Sequence, residues 1–370
     1  MLPSMRISSL EAIPYALPFR EGYVTARGSL RRREMVLLRL RSGEGFVGLG
    51  EAVPLSLRGG VTLGRVVEEL EQLGELEEMS EATLDGDAAG LSAPARCAAL
   101  TALMDLRGRR AAAEGHLSSP LSGQPIRCNA TLVAGEPEKV AEDALRWAEE
   151  GFSTFKLKLG AETAKTRVEQ GSLRFRDVEQ VRAVRKALGP DARIRVDANE
   201  AWDLETAKRA LTELEPLGVE LAEQPVAGLR EMAELAEVTS IPLSADESVA
   251  TLEEAKRAVA VGACAYTGVK LSKVGGPEEA IAIAGVLPAY ISSALDGPVG
   301  IAAAAQVAQT LAEQAGGAGL GLAHGLATQR LFASTIAAVE CELKEGCLHP
   351  PAGPGLGVEV DEDALEAHRL

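Results

Sequence analysis

Between residues 126 and 326 the hydrophobic pattern switches in a fixed order between a period of two and a period near 3.6. Short apolar runs at 126–133, 153–160, 193–199, 218–225, 241–248, 265–273, 288–296 and 319–326 read as strands. Amphipathic stretches at 136–150, 176–188, 203–215, 229–238, 252–261, 277–286 and 299–315 read as helices. Strict alternation of this kind requires a parallel sheet, because each strand must cross over a helix before the next begins. Eight strands within roughly 200 residues suit a closed TIM-type α/β barrel better than an open doubly wound sheet. No G-x-G-x-x-G follows the first strand, which also counts against a dinucleotide fold.

The flanking segments behave differently. Residues 5–17 and 34–40 read as strands, with 46–50 as a hairpin partner, and 63–80 and 93–113 as helices. Residues 1–115 are therefore expected to form an α+β capping domain. The polar, basic stretch 20–33 reads either as a mobile loop over a site or as an ordinary hairpin connection. A linker at 114–125 leads into a barrel domain spanning 116–340. The tail 341–370, with Pro350-Pro351 and several glycines, is expected to pack back on the cap.

Composition limits the partners. Hydrophobic residues make up 46% of the chain and aromatics only 3%, so the core must be built from Ala, Leu and Val. The net charge of −16 argues against nucleic acid or an anionic membrane as partner. It does not exclude a small carboxylate substrate, since a local group of lysines or a bound cation overrides the global field. Five cysteines with no C-x-x-C pair read as reduced thiols in a cytoplasmic protein. No apolar run of 18 residues is present, so no transmembrane helix is expected. Composition leaves homo-oligomerisation open.

The chemistry gathers where a barrel keeps its site, at the C-terminal ends of the strands. Successive strands there offer Lys156 and Lys158, Asp197 and Asn199, Glu223, Asp246 and Glu247, Lys270, and then Ser292, Ser293 and Asp296. The acids and Lys270 recur at about one βα unit, which places them at one height around the barrel. Three convergent carboxylates repel unless a cation sits among them, and all-oxygen ligands select Mg²⁺, with Mn²⁺ as the other candidate. Such an ion on a substrate carboxylate would make proton loss from the α-carbon accessible. Lys158 and Lys270 flank the acids on opposite sides as candidate bases. Lys156 beside Lys158 is expected to depress its amine pKa.

FKLKLG (155–160), VDAN (196–199), AEQP (222–225), ADES (245–248) and VKLSKVGG (269–276) follow the order and spacing of the enolase superfamily. The whole chain resembles its muconate-lactonising branch. The resemblance implies an α+β cap, closed by the C-terminal tail, over a (β/α)7β barrel. It also implies Asp197, Glu223 and Asp246 as Mg²⁺ ligands and Lys158 and Lys270 as acid/base lysines. Lys156 and Asn199 would support the site, and Glu247 would partner Lys270. The run SSALDGPVG (292–300) is similar to that of the o-succinylbenzoate synthases of menaquinone biosynthesis. That likeness implies dehydration of a cyclohexadiene carboxylate, with Ser292 and Ser293 making room for its succinyl end. An acid at Asp296 is equally similar to dipeptide epimerases, and two lysines also suit an N-acylamino acid racemase or a muconate-type cycloisomerase.

Overall fold

The computed structural model describes residues 5–25, 28–54, 60–74, 79–116, 124–160, 173–316 and 321–370. Three antiparallel strands open the chain: β1 (Ile7–Thr25), β2 (Gly28–Ser42) and β3 (Val47–Ala52). Alternation along β2 divides its two faces. Val36, Leu38 and Leu40 pack with α1 (Leu63–Gly74), α2 (Glu81–Asp87) and α3 (Ala93–Ala113). Met35 and Leu37 instead join the larger core shared with the barrel. Gly48 and Gly50 let α3 lie directly on β3, since a Cβ at either would overlap the carbonyl oxygens of Ala102 and Ala98.

The stretch 20–33 is not a loop. It is the far end of the β1–β2 hairpin, paired as far as Thr25↔Gly28, with residues 26–27 outside the described set. Arg20, Arg31 and Arg32 are exposed, which gave it the composition of a loop, while Arg33 is buried. Tyr23 stacks on Phe19 at 5.5 Å and Phe19 on Phe332 at 5.0 Å, which pins the hairpin to the barrel.

The barrel follows. Its sheet runs β5 (Ala130–Leu132), β6 (Thr154–Lys158), β7 (Arg193–Asp197), β8 (Val219–Glu223), β9 (Leu243–Ala245), β10 (Tyr266–Val269) and β11 (Ala289–Ile291), all parallel and in chain order. A short β4 (Ile126–Arg127) precedes it. The helices between are α4 (Pro137–Glu149), α5 (Leu173–Leu188), α6 (Leu204–Leu214), α7 (Leu229–Ala236), α8 (Leu252–Ala260), a single turn α9 (Leu271–Val274), then α10 (Pro277–Ala284). After β11 comes α11 (Pro298–Gln314).

Three expected strands are altered; one of them, 265–273, ends at Val269 and gives way to α9. The run 126–133 breaks at Cys128-Asn129, and β4 turns away from the barrel. The eighth run is reduced, among its described residues, to two bridges, His324 to Cys128 and Gly325 to Ser292. Those bridges still join the first and last strands and curl the sheet closed. The hydrogen bonds Asn129 N–H to His324 O (2.9 Å) and Gly325 N–H to Ile291 O (2.8 Å) carry the closure.

The tail ties the two parts together. It contains β12 (Ala337–Val339), β13 (Glu342–Lys344), β14 (Cys347–His349), β15 (Glu359–Val360) and α12 (Glu362–His368). β14 pairs with β4 at the foot of the barrel, while Leu370 N–H reaches Pro14 O on β1 at 3.0 Å. Buried Asp105 on α3 accepts from Leu49 N–H of the cap (2.8 Å) and Leu356 N–H of the tail (2.7 Å). No helix of the described residues is long and apolar enough to cross a membrane.

His324, at the closure, accepts the Ile291 N–H on Nδ1 at 3.0 Å. Burial, with Arg195 and Arg127 nearby, pushes its pKa down to about 4. An unfolded histidine titrates near 6.5, so between those values the unfolded chain binds a proton that the folded chain does not. Stability should therefore fall as pH drops from about 6.5 towards 4. Urea midpoints at pH 7 and pH 4.5 should differ less for His324→Gln, which keeps an acceptor without the titration. Equal drops for both proteins would remove His324 from the pH response.

Candidate active site

Strand register puts the charged residues together. Lys158 pairs with Asp197 across β6 and β7, and Asp197 with Glu223 across β7 and β8. Asp246 lies one residue past β9, on the turn that follows it. All three carboxylates are buried. Lys156 Nζ lies 2.8 Å from Asp197 Oδ2 and 2.6 Å from Glu223 Oε2. Lys158 Nζ donates to the same Asp197 oxygen at 2.6 Å and to Asn199 Oδ1 at 3.0 Å. From the other side Lys270 donates to Asp246 Oδ2, and Lys273 to Asp246 Oδ1 at 2.9 Å and to its backbone carbonyl at 2.5 Å.

These contacts correct one expectation. Burial alone would lower the Lys158 pKa, and Lys156 adds to that, but the Asp197 charge prevails and holds the amine above its usual range. For Lys156 burial is opposed by two acids, Asp197 and Glu223, and its pKa is held well above the usual range. Burial likewise works to raise Asp197, and the two lysines overcome it to hold that carboxyl below its usual range. Glu223, raised by burial and by Asp197, is only partly relieved by Lys156.

Neutral side chains fix the acids in place. Gln224 Oε1 accepts the N–H groups of Asp246 (2.9 Å) and Ser248 (3.1 Å). Its Nε2 donates to Val226 O (2.9 Å) and Ser248 Oγ (2.7 Å). Tyr290 on β11 donates its hydroxyl to Glu223 Oε2, with the Arg195 guanidinium 5.2 Å from its ring centroid. Asn199 Nδ2 donates to Glu247 Oε1 at 3.1 Å. Among the described non-glycine residues with positive φ, Asn199 (47°), Glu200 (64°), Gln224 (38°) and Leu295 (67°) all follow barrel strands at this mouth.

A pocket of about 930 Å³, its mouth included, opens over these residues. Arg33, Lys156, Lys158, Lys270 and Lys273 line it, with Asn199, Ser292 and Ser293, and no carboxylate is among the described lining residues. Asp296 is not part of this wall. Its Oδ2 accepts from Ser293 Oγ and from Ala294 N–H, both at 2.7 Å, within its own turn.

Sequence reasoning missed Lys273, Tyr290, Gln224 and Arg33. Lys273 had a readable signal, its i,i+3 spacing from Lys270. Arg33 had none, since it reaches the site from the cap.

Asp197, Glu223 and Asp246 could hold a hard divalent cation. The donors are all oxygen, they come from consecutive strand ends, and Glu223 Oε1 is buried with no hydrogen-bond partner. As they stand, no three His, Cys, Asp or Glu side chains among the described residues form a metal-holding group, because the lysine amines sit on the facing oxygens.

The profile of enolase C-terminal domain-like proteins matches residues 139–364. An o-succinylbenzoate synthase from Thermobifida fusca is 36% identical over 213 residues, 57% of this chain and 62% of that relative's length. A hydrophobic dipeptide epimerase from Enterococcus faecalis is 30% identical over 82% of this chain and 87% of its own. The muconate lactonizing enzyme from Pseudomonas fluorescens, solved with muconolactone, superposes with a TM-score of 0.86 at 27% identity. That match covers 98% of this chain and 99% of the other.

Gln224→Ala should leave the Asp246 and Ser248 N–H groups without their acceptor. The expected loss is roughly 2 kcal/mol or more in urea unfolding. A loss under about 0.5 kcal/mol would mean that water replaces the amide.

Proposed function

The chain belongs to the enolase superfamily, as an enzyme of lyase or isomerase type, and we propose that it is an o-succinylbenzoate synthase. The reaction is the dehydration of 2-succinyl-6-hydroxy-2,4-cyclohexadiene-1-carboxylate to 2-succinylbenzoate. The observation that carries this reading is the lining of the pocket. Five cationic side chains and no described carboxylate face it, which suits a substrate with two carboxylates and no ammonium group. Asp296, the acid that would hold the amino group of a dipeptide, is folded into its own turn. The 36% identity with the Thermobifida fusca synthase supports the same choice, over part of the chain.

Lys158 and Lys270 hold the acid/base roles. Lys158 takes the proton α to the ring carboxylate. The electron pair moves first onto the carboxylate as an enediolate, which then collapses to the new ring double bond as the hydroxyl on the adjacent carbon leaves. Lys158 then returns its proton to that oxygen, so the elements of water are lost and the ring becomes aromatic. Lys270 remains an ammonium on the opposite face, where it stabilises the enediolate. Lys156 and Asn199 hold Asp197 and Lys158 in register. Asp197, Glu223 and Asp246 would hold Mg²⁺, which when bound supplies charge neutralisation for the substrate carboxylate. Ser292 and Ser293 leave room for the succinyl chain.

A second reading has its own support. Lys158 and Lys270 both face the pocket, and an N-succinylamino acid is also dianionic, so a two-base racemase fits the same lining. Purified protein with Mg²⁺ should consume the cyclohexadiene substrate, and Lys158→Ala should lower kcat/KM by about 10²–10⁴-fold. Lys270→Arg keeps the charge and should retain measurable dehydration. A racemase would instead exchange the α-proton of N-succinylamino acids, and Lys270→Arg would abolish exchange on one enantiomer only. No loss of the diene with added metal rejects the synthase.

A further inference from the structure

The carboxyl of Glu51 lies in the cap, buried between the cap sheet and the start of α11, outside the site described above. Its Oε1 accepts the N–H of Gly297 at 2.6 Å, and its Oε2 accepts the hydroxyl of Tyr15 at 2.9 Å. Two glycines make the space. A Cβ at Gly297 would overlap the Tyr15 hydroxyl, and one at Gly300 would come within 2.7 Å of Glu51 Oε1. A side chain at either position would therefore displace the carboxyl.

What Glu51 grips is the segment that ends the pocket wall. Ser293, Ala294 and Leu295 line the pocket, and Gly297 follows two residues later. Leu295 is held at φ 67°, a left-handed conformation that is strained for a side chain of this kind. Such a turn persists only if its surroundings over-determine it. Within the turn, Ser293 Oγ accepts from the N–H groups of Leu295 (3.0 Å) and Asp296 (2.9 Å). From outside, the cap adds two long-range holds: Glu51 on Gly297, and Arg33 on the Ala294 carbonyl at 3.0 Å.

The geometry points to Glu51 as a positioning residue through which the cap sets the Ser293–Leu295 wall and so the fit of the substrate's distal chain. Burial and the nearby Asp296 raise the Glu51 carboxyl to about 8, against the hydrogen bonds from Tyr15 and Gly297, which work to lower it. A neutral amide of the same shape should therefore replace it.

Two measurements test this on the full-length protein. The first is hydrogen exchange of the amides in 292–300. Glu51→Ala should speed exchange there by about tenfold or more, while the β7 and β8 amides stay protected. Glu51→Gln should restore protection. The second is steady-state kinetics on the cyclohexadiene substrate, which rests on the proposed reaction. Glu51→Ala should raise KM by about tenfold or more with kcat within about threefold, and Glu51→Gln should recover KM. If Glu51→Ala does not fold, Gly300→Ala crowds the same oxygen and takes its place in both measurements. Unchanged exchange in 292–300 overturns the proposal, as does a fall in kcat at constant KM. A wild type without dehydratase activity rejects the reaction instead, and the exchange measurement still decides on Glu51.

Discussion

Four ammonium groups facing three buried carboxylates are the constraint on which the barrel mouth depends. Taking each charge out of water costs several kcal/mol, and pairing offsets this only with good geometry and full hydrogen bonding. The surroundings supply that geometry. Gln224 clamps the turns after β8 and β9, Tyr290 caps one oxygen of Glu223, and Asn199 bridges Lys158 to Glu247. Apolar side chains of similar volume would serve stability as well or better. The cluster is therefore best understood as chemistry that the fold accommodates. Its orphaned oxygen, Glu223 Oε1, is the point at which the protein alone leaves it incomplete.

Most of the barrel could be read from the sequence because period and spacing fix it. Asp197 and Glu223 end adjacent strands one βα unit apart, and a register shift between Ile194 and Arg195 brings them opposite each other. The reading failed where alternation continued beyond the strand. V-K-L-S-K alternates in character, so 265–273 looked like one strand, yet β10 ends at Val269 and α9 begins at Leu271. On a strand Lys270 and Lys273 would point to opposite faces, whereas on a helical turn they share one. That turn is what brings both amines to Asp246.

The cap was less legible, for a different reason. Exposed arginines of the β1–β2 hairpin mimic the composition of a loop, and only pairing shows otherwise. Arg33 reaches Ala294 and Glu51 reaches Gly297 across most of the chain length. No local pattern encodes such contacts. The same holds for Asp296, whose position in the sequence suggests a substrate partner. Its two acceptor contacts, to Ser293 and Ala294, are local, but which way the turn closes depends on the cap that grips it.

The two lysines of β6 are not equivalent, and the difference bears on which one can act as a base. Lys156 is held by two carboxylates, and its proton is correspondingly hard to remove. Lys158 has a single carboxylate, a neutral Asn199 oxygen, and the repulsion of Lys156 beside it. Its hold thus depends mainly on Asp197, with Tyr23 and Glu223 adding less, and any second cation sharing the Asp197 carboxylate weakens it. The sequence placed two like charges on one side of a strand. The structure gives them different contacts: Lys156 bridges Asp197 and Glu223, while Lys158 meets Asp197 and Asn199, and these contacts support the proposal that Lys158 is the amine whose proton moves.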